Sequence, residues 1–241
     1  MTPPPRPRKG GRPAEPPSLE LVMAELKRIA KPEWVLTMKR VGIAGAQMWG
    51  ISVPDLRRLG KLVGIDQPLA RELWETGVHE ARILATLVGN PAVMPARELD
   101  GWLRDLDSWD LTDAFTGNLV ARSSHAWGKA VEWAGRQKPF EKRAAFSLMA
   151  ALAVQDKAAD DAAFKRLLPV IWEHAVDERP YVAKAVSWAL RQIGKRDRLL
   201  NRAATACAQE IGALDNKAAR WVAADALREL LSPAVQNRLV K

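Results

Sequence analysis

From Ser18 onward the apolar residues recur at the spacing of a helix face. Leu19, Val22, Leu26 and Ile29 keep 3,4,3 intervals, and Ser18 stands where an N-cap belongs, so a helix is predicted there. Pro32, Pro54, Pro68, Pro95, Pro139 and Pro180 occupy positions that suit the first turns of further helices. No run alternates apolar and polar residues convincingly. The pattern predicts one all-α domain over residues 18–241, built from roughly a dozen helices of about 10 to 17 residues joined by short loops. The segment "ALRQI" at 189–193 returns as "ALREL" at 226–230, an offset of 37 residues, which lies near the period of helical-pair repeats. Stacked pairs of this kind form a solenoid with a concave face, and a basic concave face is a natural seat for a duplex.

Four stretches separate into two faces, and the second face is the informative one. On a helix over 108–122, Leu111, Phe115 and Leu119 cluster, while Trp109 and Asp113 project roughly 140° from their centre. A flap over a neighbouring helix and a substrate-facing pair both fit that placement. In "PYVAKAVSWALRQIGK" at 180–195, Val182, Val186, Ala189 and Ile193 form the buried stripe. Lys184, Trp188, Arg191 and Lys195 run with the same spacing about half a turn away, so Trp188 stands among three cations. An indole ringed by bases suits a sugar-phosphate surface. Lys217, Trp221 and Arg228 repeat the theme more weakly, because Asp225 interrupts that face. In "PFEKRAAFSLMAAL", Phe140, Ala144 and Leu148 mark the core and Arg143 points off it, as a phosphate clamp or a solvated charge.

Composition narrows the chemistry. With 37 Lys and Arg against 28 Asp and Glu, the chain of 241 residues carries +9 and favours polyanionic partners, nucleic acid first among them. About a third of that charge sits in residues 1–17, "MTPPPRPRKGGRPAEPP", whose seven prolines and four bases predict a disordered leader, either a phosphate tether or a solubilising tail. The single Cys207 excludes an internal disulfide and suits a reducing, cytoplasmic setting. No stretch reads as a membrane span or a secretory signal. His79, His125 and His174 lack metal-ligand spacing, so neither a metal nor another cofactor is expected. A nuclease would need a carboxylate cluster to hold metal ions, and none is visible.

Five stretches in order, "WGISVPDLRRLGK" at 49–61, "HEARILATL" at 79–87, "SWDLTDAF" at 108–115, "EKRAAFSLMA" at 141–150 and "RPYVAKAVSWALRQIGK" at 179–195, carry a family likeness. Through them the chain resembles the AlkD-like DNA alkylation repair family, monofunctional DNA glycosylases made of HEAT-like repeats, over about residues 20 to 230. The resemblance implies that Asp113 is the catalytic carboxylate and that Trp109 and Trp188 are aromatic walls beside the damaged nucleotide. It further implies that Arg143 and Arg191 hold backbone phosphates; Lys184 and Lys195, from their place on the face of Trp188, are expected to bind DNA beside them. The implied activity is base excision repair: hydrolysis of the N-glycosidic bond of N3- and N7-alkylated purines in duplex DNA, without drawing the base into a pocket. No partner subunit is implied, so a monomer is expected. The N-terminal stretch "KPEWVLTMKRVGIAGAQMWGI" matches less well than the middle. The alternative is a noncatalytic helical-repeat scaffold that binds DNA or a protein through its basic face.

Overall fold

The computed structural model describes residues 17–43, residue 45 and residues 47–239. The proline-rich leader, apart from Pro17, lies outside them. Among the described residues the chain forms fifteen α-helices and no strand beyond a single bridge between Gln47 and Val78. In chain order these are α1 (Leu19–Ile29), α2 (Val35–Arg40), α3 (Val53–Val63), α4 (Gln67–Glu75) and α5 (His79–Val88). Next come α6 (Ala96–Arg104), α7 (Trp109–Ala114), α8 (Ala126–Glu132), α9 (Pro139–Gln155) and α10 (Asp161–Lys165). The series ends with α11 (Leu168–His174), α12 (Pro180–Gly194), α13 (Arg198–Gly212), α14 (Lys217–Leu230) and α15 (Pro233–Leu239).

Local chemistry explains where they begin. Ser18, Ser52, Asp66, Asp160, Asp197 and Asn216 each accept a hydrogen bond from a backbone N–H of the first turn, satisfying a donor the helix cannot pair itself. Pro54, Pro68, Pro139 and Pro180 fall in first turns as expected; Pro32 opens a short 3-10 turn instead, and Pro95 is the residue before α6. The helices are also shorter than the sequence pattern predicts, several having only five to nine residues. Segments of that length are marginal alone, so packing against neighbours, not propensity, sustains them.

The helices stack as a solenoid in two rows. One row runs α5, α7, α9, α12 and α14, each packed on the next; α4, α6, α8 and α13 support it from the other side. Polar side chains tie successive units at strides of one repeat. His79 meets Asp110 and Trp74 meets Asp105, both 31 positions apart, whereas Ser187–Asp225 and Arg191–Glu229 span 38. The "ALRQI" and "ALREL" echo falls on α12 and α14, neighbours in one row. A single apolar cluster runs from Val22 to Leu230, and stacked Trp74 and Trp102, with ring centroids 4.0 Å apart, adjoin Phe115 at its centre. The fully buried Glu80 accepts from the backbone N–H groups of Trp49, Gly50 and Ile51, which fastens the loop before α3 to α5.

The expected core stripes are in place: Leu111, Phe115 and Leu119 are fully buried, as are Val182, Val186, Ala189 and Ile193. Helix α9 departs from a two-faced pattern. It lies in the middle of the stack, and every residue from Arg143 to Ala153 is buried.

Candidate functional site

Helix α7 lasts six residues before the chain widens into a π turn over Phe115–Leu119 and a 3-10 turn over Val120–Arg122. The Thr112 and Thr116 hydroxyls donate back to the carbonyls of Ser108 and Thr112, a habit that bends helices. Single π turns recur at functional sites. This one begins two residues after Asp113. Phe115 and Leu119 anchor the segment in the core, which leaves Trp109 and Asp113, one turn apart, half-buried on its opposite side.

Asp113 is held by α9. Arg143 presents its fork to both carboxylate oxygens, at 3.1 Å from Nε and 2.7 Å from Nη2, and Ser147 donates to Oδ1 at 2.8 Å. A third Arg143 donor, Nη1, reaches the Tyr181 carbonyl at 2.8 Å. Burial lifts the Asp113 carboxyl above the ordinary carboxylate range, against the opposing pull of Arg143 and Ser147. The carboxylate keeps 23% of its side-chain exposure while Arg143 keeps 8%. The structure therefore corrects the picture of Arg143 as a solvated charge: α9 is enclosed, and the guanidinium is committed to Asp113 and Tyr181.

Trp109 is fixed by the loop after α2, its Nε1 donating to the Val41 carbonyl at 3.1 Å. Tyr181, at the start of α12, donates from its hydroxyl to the neighbouring Gly42 carbonyl at 3.3 Å. These contacts close a ring: Asp113 to Arg143, Arg143 to Tyr181, Tyr181 to Gly42, and Val41 back to Trp109 in the same helix as Asp113. Gly42 has φ +81°, and a Cβ there would collide with the Tyr181 hydroxyl. Gly42→Ala is expected to destabilise the fold by about 1–2 kcal/mol, from backbone strain and the broken contact together. Thermal denaturation reads the cost.

Next to Trp109 in the chain, Asp110 belongs to an ionic pair that sequence reasoning missed. His79, 2% exposed, meets Asp110 at 2.8 Å between Nε2 and Oδ2. Burial opposes the imidazolium, but the hydrogen bond and charge of Asp110, aided by Glu80 and Asp107, hold its pKa above the usual histidine value. Burial likewise opposes the Asp110 carboxylate, and His79 holds its pKa below the usual range. The His79 contribution to stability is then complete below the unfolded-state histidine pKa and is lost as pH rises through the raised folded value. The Asp110 contribution is lost as pH falls through its lowered value. Denaturant titrations from about pH 5 to about pH 9 should show His79→Gln flattening the decline of stability on the alkaline side.

The side chains converge on one open cleft of about 340 Å³. Trp109 and Asp113 come to it from α7, Arg143 from α9, and Lys184, Trp188 and Arg191 from α12. Trp221 of α14 joins them, although Asp225, one turn later, interrupts its basic face in the sequence. That acid is occupied elsewhere: it accepts from Ser187, pairs with Arg228 and lies 3.4 Å from Arg191 Nε. Arg191 and Lys195 both pair with Glu229, whose carboxyl they hold below its usual range against the effect of burial. Lys195 does not line the cleft. The expected ring of three free cations about Trp188 thus reduces to Lys184, which has no ion-pair partner among the described residues. Arg191 sits in the cleft with much of its charge answered by α14.

Among the described residues no group of three or more His, Cys, Asp or Glu side chains could hold a metal ion. No described helix is long and apolar enough to cross a membrane.

The family model described as DNA alkylation repair enzyme matches residues 22–230. A solved structure described as "a new family of proteins related to the HEAT-like repeat DNA glycosylases with affinity for branched DNA structures" superposes with a TM-score of 0.74. It is 20% identical, and the match covers 92% of this chain and 95% of that one, a likeness of fold. No curated protein matches the chain.

Proposed function

Because the chain belongs to the DNA alkylation repair enzyme family, we propose that it is a monofunctional glycosylase that hydrolyses the N-glycosidic bond of N3- and N7-alkylated purines in duplex DNA. The observation that carries this reading is the convergence of Trp109, Asp113 and Trp188, from two separate helices, on one open cleft. A purine alkylated at N3 or N7 bears a formal positive charge. When its bond to C1′ breaks, the departing base takes the electron pair and leaves neutral, so no acid is needed to protonate it. The sugar left behind gains oxocarbenium character. Asp113 faces that charge with a carboxylate whose orientation Arg143 and Ser147 have already fixed, so little reorganisation is required during the reaction. Water then adds to C1′ and gives up its proton, for which Asp113 is the acceptor at hand. The indole faces of Trp109 and Trp188 favour the same cationic character through their ring quadrupoles. The base stays out of any enclosed pocket in this scheme, consistent with a cleft open to solvent.

In this reading Lys184 and Arg191 contact phosphates beside the lesion. Arg143 acts mainly by positioning Asp113, and Lys195 contributes through Glu229.

A second reading is noncatalytic binding of DNA. It is favoured by the similar structure, a protein described by its affinity for branched DNA. Mass spectrometry of bases freed from methylated duplex DNA separates the two. Release of 3-methyladenine or 7-methylguanine supports the glycosylase; salt-sensitive DNA binding with no base released supports the scaffold.

A further inference from the structure

Beside the cleft lies a second cavity of about 410 Å³, between the first turns of α12 and α14. Pro180, Ala183 and Ala218 give it an apolar lining, and Lys184, Lys217 and Glu178 supply its charges. Trp221 and Lys184 line both cavities, so the two spaces are neighbours. Trp221 is 44% exposed, a large indole surface left uncovered by its neighbours. Neither lysine has an ion-pair partner among the described residues, in contrast to Arg191 and Lys195 on the cleft side. Two unpaired lysines thus stand beside an open aromatic face in this cavity.

We infer that this cavity is a binding subsite for one unpaired nucleotide of a strand leaving the cleft, its base stacked on Trp221 and its phosphate held by Lys184 and Lys217. The subsite deepens the proposed function and rests on a nucleic-acid strand occupying the cleft. The composition fits that ligand better than its alternatives. An apolar floor with an indole wall rewards a flat heterocycle of any identity, and two lysines reward the phosphate joined to it. Glu178 disfavours a bare, densely charged anion, yet it can accept a hydrogen bond from the amino group of adenine, guanine or cytosine. Inorganic phosphate alone should bind poorly.

The test uses the full chain and a five-nucleotide single-stranded oligodeoxyadenylate, with affinity followed against salt concentration. Trp221→Ala is expected to weaken binding by about 5- to 150-fold, the range for loss of one stacked base, and Trp221→Phe to retain most of it. Lys217 lines the second cavity and not the cleft, so its effect locates the ligand. Lys217→Ala is expected to weaken binding and to lower the slope of log affinity against log salt by about one. Oligonucleotide affinity unchanged in Lys217→Ala, whatever Trp221→Ala does, or equal competition by inorganic phosphate, overturns the subsite. Base release from methylated duplex, measured in parallel, keeps the two readings apart. Release by the wild type with no effect of Lys217→Ala on oligonucleotide binding removes the subsite alone. Substitution-sensitive oligonucleotide binding with no release removes the glycosylase and leaves the subsite standing.

Discussion

Asp113→Asn is expected to lower base release from methylated duplex DNA by at least about a hundred-fold while leaving DNA binding in place. The substitution removes one negative charge and almost no volume. Asn can still accept from Ser147 or from one arm of Arg143, so the local framework is largely kept. What disappears is the field that opposes positive charge on the sugar, together with the proton acceptor for water. Single-turnover release assays and DNA titrations of the same protein read these two properties separately. A variant that excises at the wild-type rate would remove Asp113 from the chemistry. Parallel loss of binding and release would instead place its role in the fold.

The second large effect is on stability. Arg143→Ala is expected to cost about 3 kcal/mol, because it leaves Asp113 without its counter-charge and the Tyr181 carbonyl without its donor. For a chain of this size that corresponds to a fall in Tm of roughly 6–12 °C. Arg143→Lys should recover only part of the loss, since an ammonium supplies charge but cannot span both carboxylate oxygens and a third acceptor at once. Combining Arg143→Met with Asp113→Leu tests the cause. If the penalty comes from an unpaired buried charge, the apolar pair should be more stable than Arg143→Ala alone. A loss below about 0.5 kcal/mol in Arg143→Ala would show that solvent reaches the site well enough to replace the arginine.

The helical architecture was legible because it follows from spacing within single helices. The stripe through Val182, Val186, Ala189 and Ile193 needs no knowledge of neighbours, and neither does the separation of Trp109 and Asp113 from Leu111, Phe115 and Leu119. The errors arose where a second helix decides. Arg191 and Lys195 read as free cations on their own helix, but Glu229 comes to them from 34 to 38 positions away. Arg143 reads as a phosphate clamp or a solvated charge because one helix projected on a wheel always shows an outside, whereas α9 has neighbours on every side. Trp221 was discounted for its proximity to Asp225, which turns instead to Ser187 and two arginines. The brace formed by Val41 and Gly42 links residues 68 and 139 positions apart, and no local pattern foretells it.

The ring through Asp113, Arg143, Tyr181, Gly42, Val41 and Trp109 has a consequence for how such a protein can change in size. Its members come from four stretches of chain, so no excised pair of helices carries a working set, and a cut anywhere between α2 and α12 separates parts that must meet. Additions beyond α15 leave the circuit untouched. An extra helical pair set between α2 and α12 would instead move its members apart.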